Sequence, residues 1–146
     1  MKIIGIDPAY AKPCAYAIWD CDHIEAFGLF DTGMIYKCLS DLNEDLGPFN
    51  SLVVENSWVG KNIATTQKLS ESIGRIMGWA MENEINFVKL HPSKWRATIP
   101  RLAKLPRKYQ DRLIQDVAKS IAGTNKPIQI DQACAIHIAA YIGRRL

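Results

Sequence analysis

At 146 residues, with 48% apolar and 23% charged side chains, the chain has the length and make-up expected of one globular domain, residues 1–146, with a core of its own. No run approaches the roughly 18 consecutive apolar residues of a membrane span, and Lys2 leads into a short strand-like run where a secretory leader would need a helical apolar segment. The net charge of +3 hides an asymmetry: residues 1–55 hold nine acids against three Lys/Arg, whereas residues 56–146 hold six acids against fifteen.

Three strands are predicted first, over Lys2–Ile6, Cys14–Trp19 and Ile24–Phe30, separated by turn signals at Pro8–Pro13 and Asp20–Asp22. Their closeness favours an antiparallel meander. Ile35, Cys38, Leu39, Leu42 and Leu46 then recur at helical spacing and stop before Gly47. A fourth strand, "SLVVE", ends on Glu55. A long helix is predicted from about Ile63 to Asn83, with Leu69, Ile73, Ile76, Met77, Ala80 and Met81 on one broad face. Gly74 and Gly78, one turn apart on it, permit close approach of another element, either the chain's own sheet or a second copy.

A fifth strand, "INFVKL", follows. Pro92 and Pro106 sit where helices begin, and Tyr109, Leu113, Val117 and Ile121 form a stripe ending near Gly123. The last helix is predicted from about Asp131 to Gly143. The order βββαβαβ followed by helices gives an α/β layer architecture around a mixed sheet.

The acids in this scheme are oddly placed. Asp7 and Glu55 each terminate an apolar strand, where an unpaired carboxylate is costly, and Asp131 begins a helix of small residues. If the first and fourth strands are neighbours, the two strand ends present their carboxylates close together, and divalent cations would relieve the repulsion. Two such ions also supply what phosphodiester hydrolysis needs, an activated water and a stabilised leaving oxygen. Hard oxygen donors favour Mg²⁺ or Mn²⁺ over zinc. Taken singly, Asp7 before Pro8 also suits a turn, Glu55 a pair with Lys61, and Asp131 a helix N-cap.

Cys14, Cys21, Cys38 and Cys134 are scattered, without a CxxC pair or histidines at finger spacing, so neither a disulfide scaffold nor a zinc module is indicated and a cytoplasmic, reducing compartment is expected. No Gly-rich GxxxxGK cradle supports an ATPase. The run Lys89–Arg112 carries eight Lys/Arg and one acid, a basic field beside the acidic cluster that suits a polyanion cut with bound cations.

Four stretches, "IIGIDPA", "LVVENSWVGKNIATTQKLSESIGRIMG", "VKLHPSKWR" and "DQACAIHIAAY", resemble in order the sequence blocks of Holliday junction resolvases of the RuvC type, with compact phage-borne members the nearer likeness. The resemblance implies a ribonuclease H-like fold, a homodimer, and Mg²⁺-dependent nicking of four-way DNA junctions; a phage-encoded member would act in the host cytoplasm. It makes Asp7 and Glu55 metal ligands. The family shows two acids three apart at the start of the final helix, and the better match places Asp131 at the first and Cys134 at the second. A shifted match makes Asp131 the second and puts Ile128 at the first. Either way one of four acids is missing, and a thiol is a poor Mg²⁺ ligand. Two readings therefore stand: a junction endonuclease, and a junction-binding module that cuts weakly or not at all.

The same resemblance makes Trp58 an aromatic that enters the junction crossover, where an indole offers a stacking face to an unpaired base. It sets Arg96 near the scissile phosphate. Lys61, Asn62 and Lys94 are candidates for contacts to the sugar-phosphate chain, and Arg101, Lys104, Arg107 and Lys108 for an outer basic wall along the duplex arms. His137, one turn past Cys134, either reaches the site or is a satisfied structural histidine. The helix with Gly74 and Gly78 occupies the stretch that forms the family's dimer contact.

Overall fold

The structure, a computed structural model, describes residues 1–56 and 62–146. Trp58 and Lys61 therefore lie outside the described residues. Strands β1 (Lys2–Asp7), β2 (Cys14–Asp20), β3 (His23–Phe30), β4 (Ser51–Glu55) and β5 (Asn86–Leu90) form one mixed sheet in the order β3-β2-β1-β4-β5. The first three strands are the expected antiparallel meander, and β4 and β5 add in parallel at the β1 edge. This is the α/β ribonuclease H-like arrangement.

Helices cover both faces. On one, α1 (Ile35–Leu46) and α2 (Ile63–Glu82) pack over Ile4, Ile6, Ile18, Leu52 and Val54. On the other, α3 (Pro92–Arg96), α4 (Arg107–Ala122) and α5 (Ile130–Gly143) pack over Ile3, Ala15, Ala17, Trp19 and Val53. Side chains alternate across a strand, so β1 sends Ile4 and Ile6 to the first core while Ile3, Gly5 and Asp7 face the second.

Gly5 is where α5 comes down onto the sheet. A Cβ there would lie 2.6 Å from the backbone nitrogen of Ala139 and 2.9 Å from the carbonyl oxygen of Ala135. Small residues on both elements, Gly5 against Ala135 and Ala139, thus let helix backbone rest directly on strand backbone. That contact sets the start of α5 against the end of β1. The two glycines of α2 differ: the Tyr36 hydroxyl of α1 stands 2.7 Å from a Cβ placed on Gly78, whereas nothing lies within 4 Å of one on Gly74. Gly78 therefore serves a contact between α1 and α2, not one with the sheet.

The helix boundaries have local causes. Asn62 caps α2, its side chain accepting from the Thr65 backbone N–H at 3.3 Å. Pro92 occupies the first turn of α3 behind the capping residue His91. Gly123 ends α4 in the left-handed conformation, with φ of 62°. At α5 the cap is Gln129, which exchanges side-chain and backbone hydrogen bonds with Gln132. Asp131 is thus not the N-cap; it stands in the first turn, where the helix dipole favours an acid.

Candidate active site

The strand register brings the acids together. In the parallel β1–β4 pair, Gly5 opposes Val53 and Ile6 opposes Val54, so one residue further Asp7 stands beside Glu55 on the α5 side. Asp131, one turn before Ala135 on α5, is carried to the same place by the Gly5 contact. The electrostatics report this grouping. Burial first, then the charges of Glu55 and Asp131, lift the Asp7 carboxyl to about 8, against the opposing pull of Lys12 and Arg96. Burial likewise raises Glu55, countered by a hydrogen bond from Trp95 and by the charges of Arg96 and His91.

Among the described residues, Lys12 and Arg96 are basic groups that act on the acids. The Lys12 ammonium, in the β1–β2 turn, is hydrogen-bonded to Asp131 Oδ2, which holds it more firmly protonated than a free lysine. Arg96, at the end of α3, acts on Asp7, Glu55 and Cys134 alike, and its guanidinium carbon stands 5.1 Å from the Trp95 ring centroid. Trp95 is fully buried, and its indole N–H donates to Glu55 Oε2 at 2.7 Å.

Cys134 is buried one turn beyond Asp131. Burial and the neighbouring charges of Asp7 and Glu55 push its thiol well above the ordinary range, so it stays neutral. His137 is a structural residue here: it is buried, its Nε2 pairs with the Ile114 carbonyl at 3.0 Å, and its ring stacks on Trp95 at 5.3 Å with an interplanar angle of 14°. Burial lowers its pKa and keeps it neutral.

The structure therefore gathers Asp7, Glu55, Asp131, Arg96 and Cys134. It does not gather the outer bases. Lys94 is exposed on α3, while Arg101 precedes and Lys104 ends the 3-10 turn Leu102–Lys104 and Arg107 and Lys108 open α4, all exposed. None of these five figures among the charges acting on Asp7 or Glu55. Asn62 is exposed as the α2 cap. Sequence reasoning missed Trp95 and Lys12. The first lay within "VKLHPSKWR", where only Lys94 and Arg96 drew notice; the second sat in a Pro-flanked turn with no periodic signal.

Among the described residues, no group of three or more His, Cys, Asp and Glu side chains could hold a metal ion as it stands. The donor chemistry nevertheless suits a hard divalent cation, because the oxygen donors are carboxylates that repel one another across a partly buried site; Lys12 and Arg96 offset part of that charge, and Lys12 would have to release Asp131 for it to ligate. The sheet-end position supplies Asp7 and Glu55 side by side, with Asp131 at the periphery.

The structure superposes on Thermus thermophilus RuvC in complex with a Holliday junction substrate with a TM-score of 0.79, at 13% identity, over 97% of this chain and 92% of that one. The chain has the fold of that resolvase. The fowlpox virus Holliday junction resolvase gives a TM-score of 0.63 at 18% identity, with both chains covered in full. For the yeast mitochondrial Holliday junction resolvase the TM-score is 0.59 at 13% identity, over 97% of this chain and 77% of that one. No protein-family model matches the sequence, and no curated protein matches it significantly. The likeness is thus one of fold, with the bacterial structure superposing better than the viral one and no phage-type member singled out.

Proposed function

We propose that this chain is a structure-selective, divalent-metal-dependent endonuclease that nicks four-way and other branched DNA junctions. The observation that carries the reading is the parallel register that sets Asp7 beside Glu55 at one sheet end, with Asp131 and Arg96 acting on the same pocket. The fold likeness to resolvases solved with Holliday junction DNA supports the choice of substrate.

Asp7, Glu55 and Asp131 would hold Mg²⁺, with Mn²⁺ as its substitute; bound there, such an ion polarises a phosphoryl oxygen and activates water. The chain's own residues do the rest. Arg96 places a fixed cation where negative charge grows on the phosphate. Trp58 would offer a stacking face at the crossover, and Lys61 and Asn62 would contact the sugar-phosphate chain. Lys94, Arg101, Lys104, Arg107 and Lys108 hold the duplex arms through phosphate contacts, which position the DNA without reading its sequence.

A junction offers two equivalent strands, and a twofold dimer offers two equivalent sites. The open face of α2 around Gly74, beside a groove lined by Asn56, Ser70, Ile73, Met77 and Lys89, is the proposed dimer contact. The proposed place of action is the cytoplasm; among the described residues no helix is long and apolar enough to cross a membrane.

A second reading is favoured by one observation, the buried neutral thiol of Cys134 beside Asp7 and Glu55, where the resemblance expects an acid: a module that binds junctions and cuts them weakly. A labelled immobile junction titrated with Mg²⁺ and Mn²⁺ separates the two. Paired, metal-dependent nicks that vanish in Asp7→Asn, with junction binding kept, support the endonuclease. Binding without nicks supports the module, and full cleavage by Asp7→Asn overturns the assignment of the site.

A further inference from the structure

We propose that Trp95 is a positioning residue for Glu55: its buried indole N–H fixes one carboxylate oxygen and so leaves the other, Oε1, directed to the cation and the phosphate. This rests on the endonuclease reading above.

Three observations and one property of the indole support it. The Nε1–Oε2 separation is 2.7 Å, at the short end for an N–H donor, as expected when the acceptor is charged. Trp95 itself is immobilised. It is fully buried on α3, its ring stacks on His137, and His137 is in turn tied to the Ile114 carbonyl of α4 at 3.0 Å. The helix that carries Trp95 is anchored at its start, where His91 Nδ1 accepts from the Ser93 backbone N–H at 3.2 Å and shares a hydrogen bond with the Ser93 hydroxyl at 2.7 Å. Finally, an indole is a donor only, so it favours the ionised carboxylate and cannot take a proton from it.

Glu is a long side chain with free rotors. Asp7, next to it, is shorter and ends its strand. Outer partners that orient a ligating carboxylate commonly change metal affinity by about 10- to 100-fold when removed. The competing explanation is that Glu55 merely satisfies a buried indole. It predicts a loss of stability without any change at the metal site, and the two are separable.

Trp95→Phe keeps an aromatic ring against His137 and removes the donor. Junction affinity in EDTA should be unchanged, while Mn²⁺ binding by calorimetry weakens about tenfold and the Mg²⁺ needed for half-maximal nicking rises by a similar factor. Unchanged Mn²⁺ affinity and Mg²⁺ requirement, in a variant that nicks junctions, overturns the role of Trp95 and leaves the endonuclease reading intact. A wild-type protein that neither nicks junctions nor binds Mn²⁺ overturns both. If Trp95→Phe does not fold, the wild-type chain decides by NMR: the Trp95 indole N–H resonance should move on Mg²⁺ addition, and a resonance that stays fixed while Mg²⁺ binds overturns the proposal.

Discussion

The backbone nitrogen of Ala139 stands 2.6 Å from the point where a side chain on Gly5 would begin. No other residue type fits there without moving α5, and α5 carries Asp131 and Cys134. A contact at the middle of β1 thereby governs the geometry at its end, two residues on at Asp7.

Gly5→Ala should therefore destabilise the fold by about 1–3 kcal/mol, the usual cost of overpacking a core. Because the obstruction is backbone, relief requires lifting α5 and with it Asp131. Urea denaturation measures the first effect, and a raised Mg²⁺ requirement for nicking the second. A variant as stable as the parent would mean that α5 does not rest on Gly5.

Acidity at Asp7 sets a pH dependence in the metal-free protein. Its carboxyl titrates at about 8 when folded, against about 4 in an unfolded chain. Between those values the folded chain holds a proton that the unfolded chain has released, so stability from this group is complete below about pH 4 and falls as the pH rises through about 8. The raised Glu55 acts in the same direction. Urea midpoints in EDTA should drop between about pH 4 and 8, and Asp7→Asn should flatten that drop; a midpoint that rises over this range counts against the arrangement.

Cys134→Asp places a fourth acid beside three others. Without metal it adds like charge to a partly buried site, so the melting temperature in EDTA should fall. With Mg²⁺ the rise in melting temperature should exceed that of the parent chain, since a ligand that binds only the folded state stabilises it more the tighter it binds. Single-turnover nicking should speed up in parallel. Equal Mg²⁺-induced shifts in both proteins would show that Cys134 is not a lost ligand position.

The exposed bases at the start of α4 make a separable contribution. If Arg107 and Lys108 each contact one phosphate, replacing both by Ala should make the slope of log affinity against log salt shallower by about 2, at roughly 0.9 per contact. The Mg²⁺ requirement should not change, because neither residue acts on Asp7 or Glu55. An unchanged slope would place the duplex arms elsewhere.

The order and type of the elements followed from the sequence because their causes are local. Apolar period and turn residues marked the meander, "SLVVE" and both long helices, and boundaries fell within a residue or two of those observed. The acids were legible for the same reason: a carboxylate at the end of a buried run stands out against its neighbours. What only the tertiary structure decided was the company these acids keep. That β1 and β4 lie side by side, that Gly5 and not Gly74 takes a close backbone contact, that Lys12 pairs with Asp131 and Trp95 donates to Glu55 are relations between residues far apart in the chain. Such contacts leave no periodic trace in sequence, since they depend on how layers stack rather than on what precedes or follows each residue.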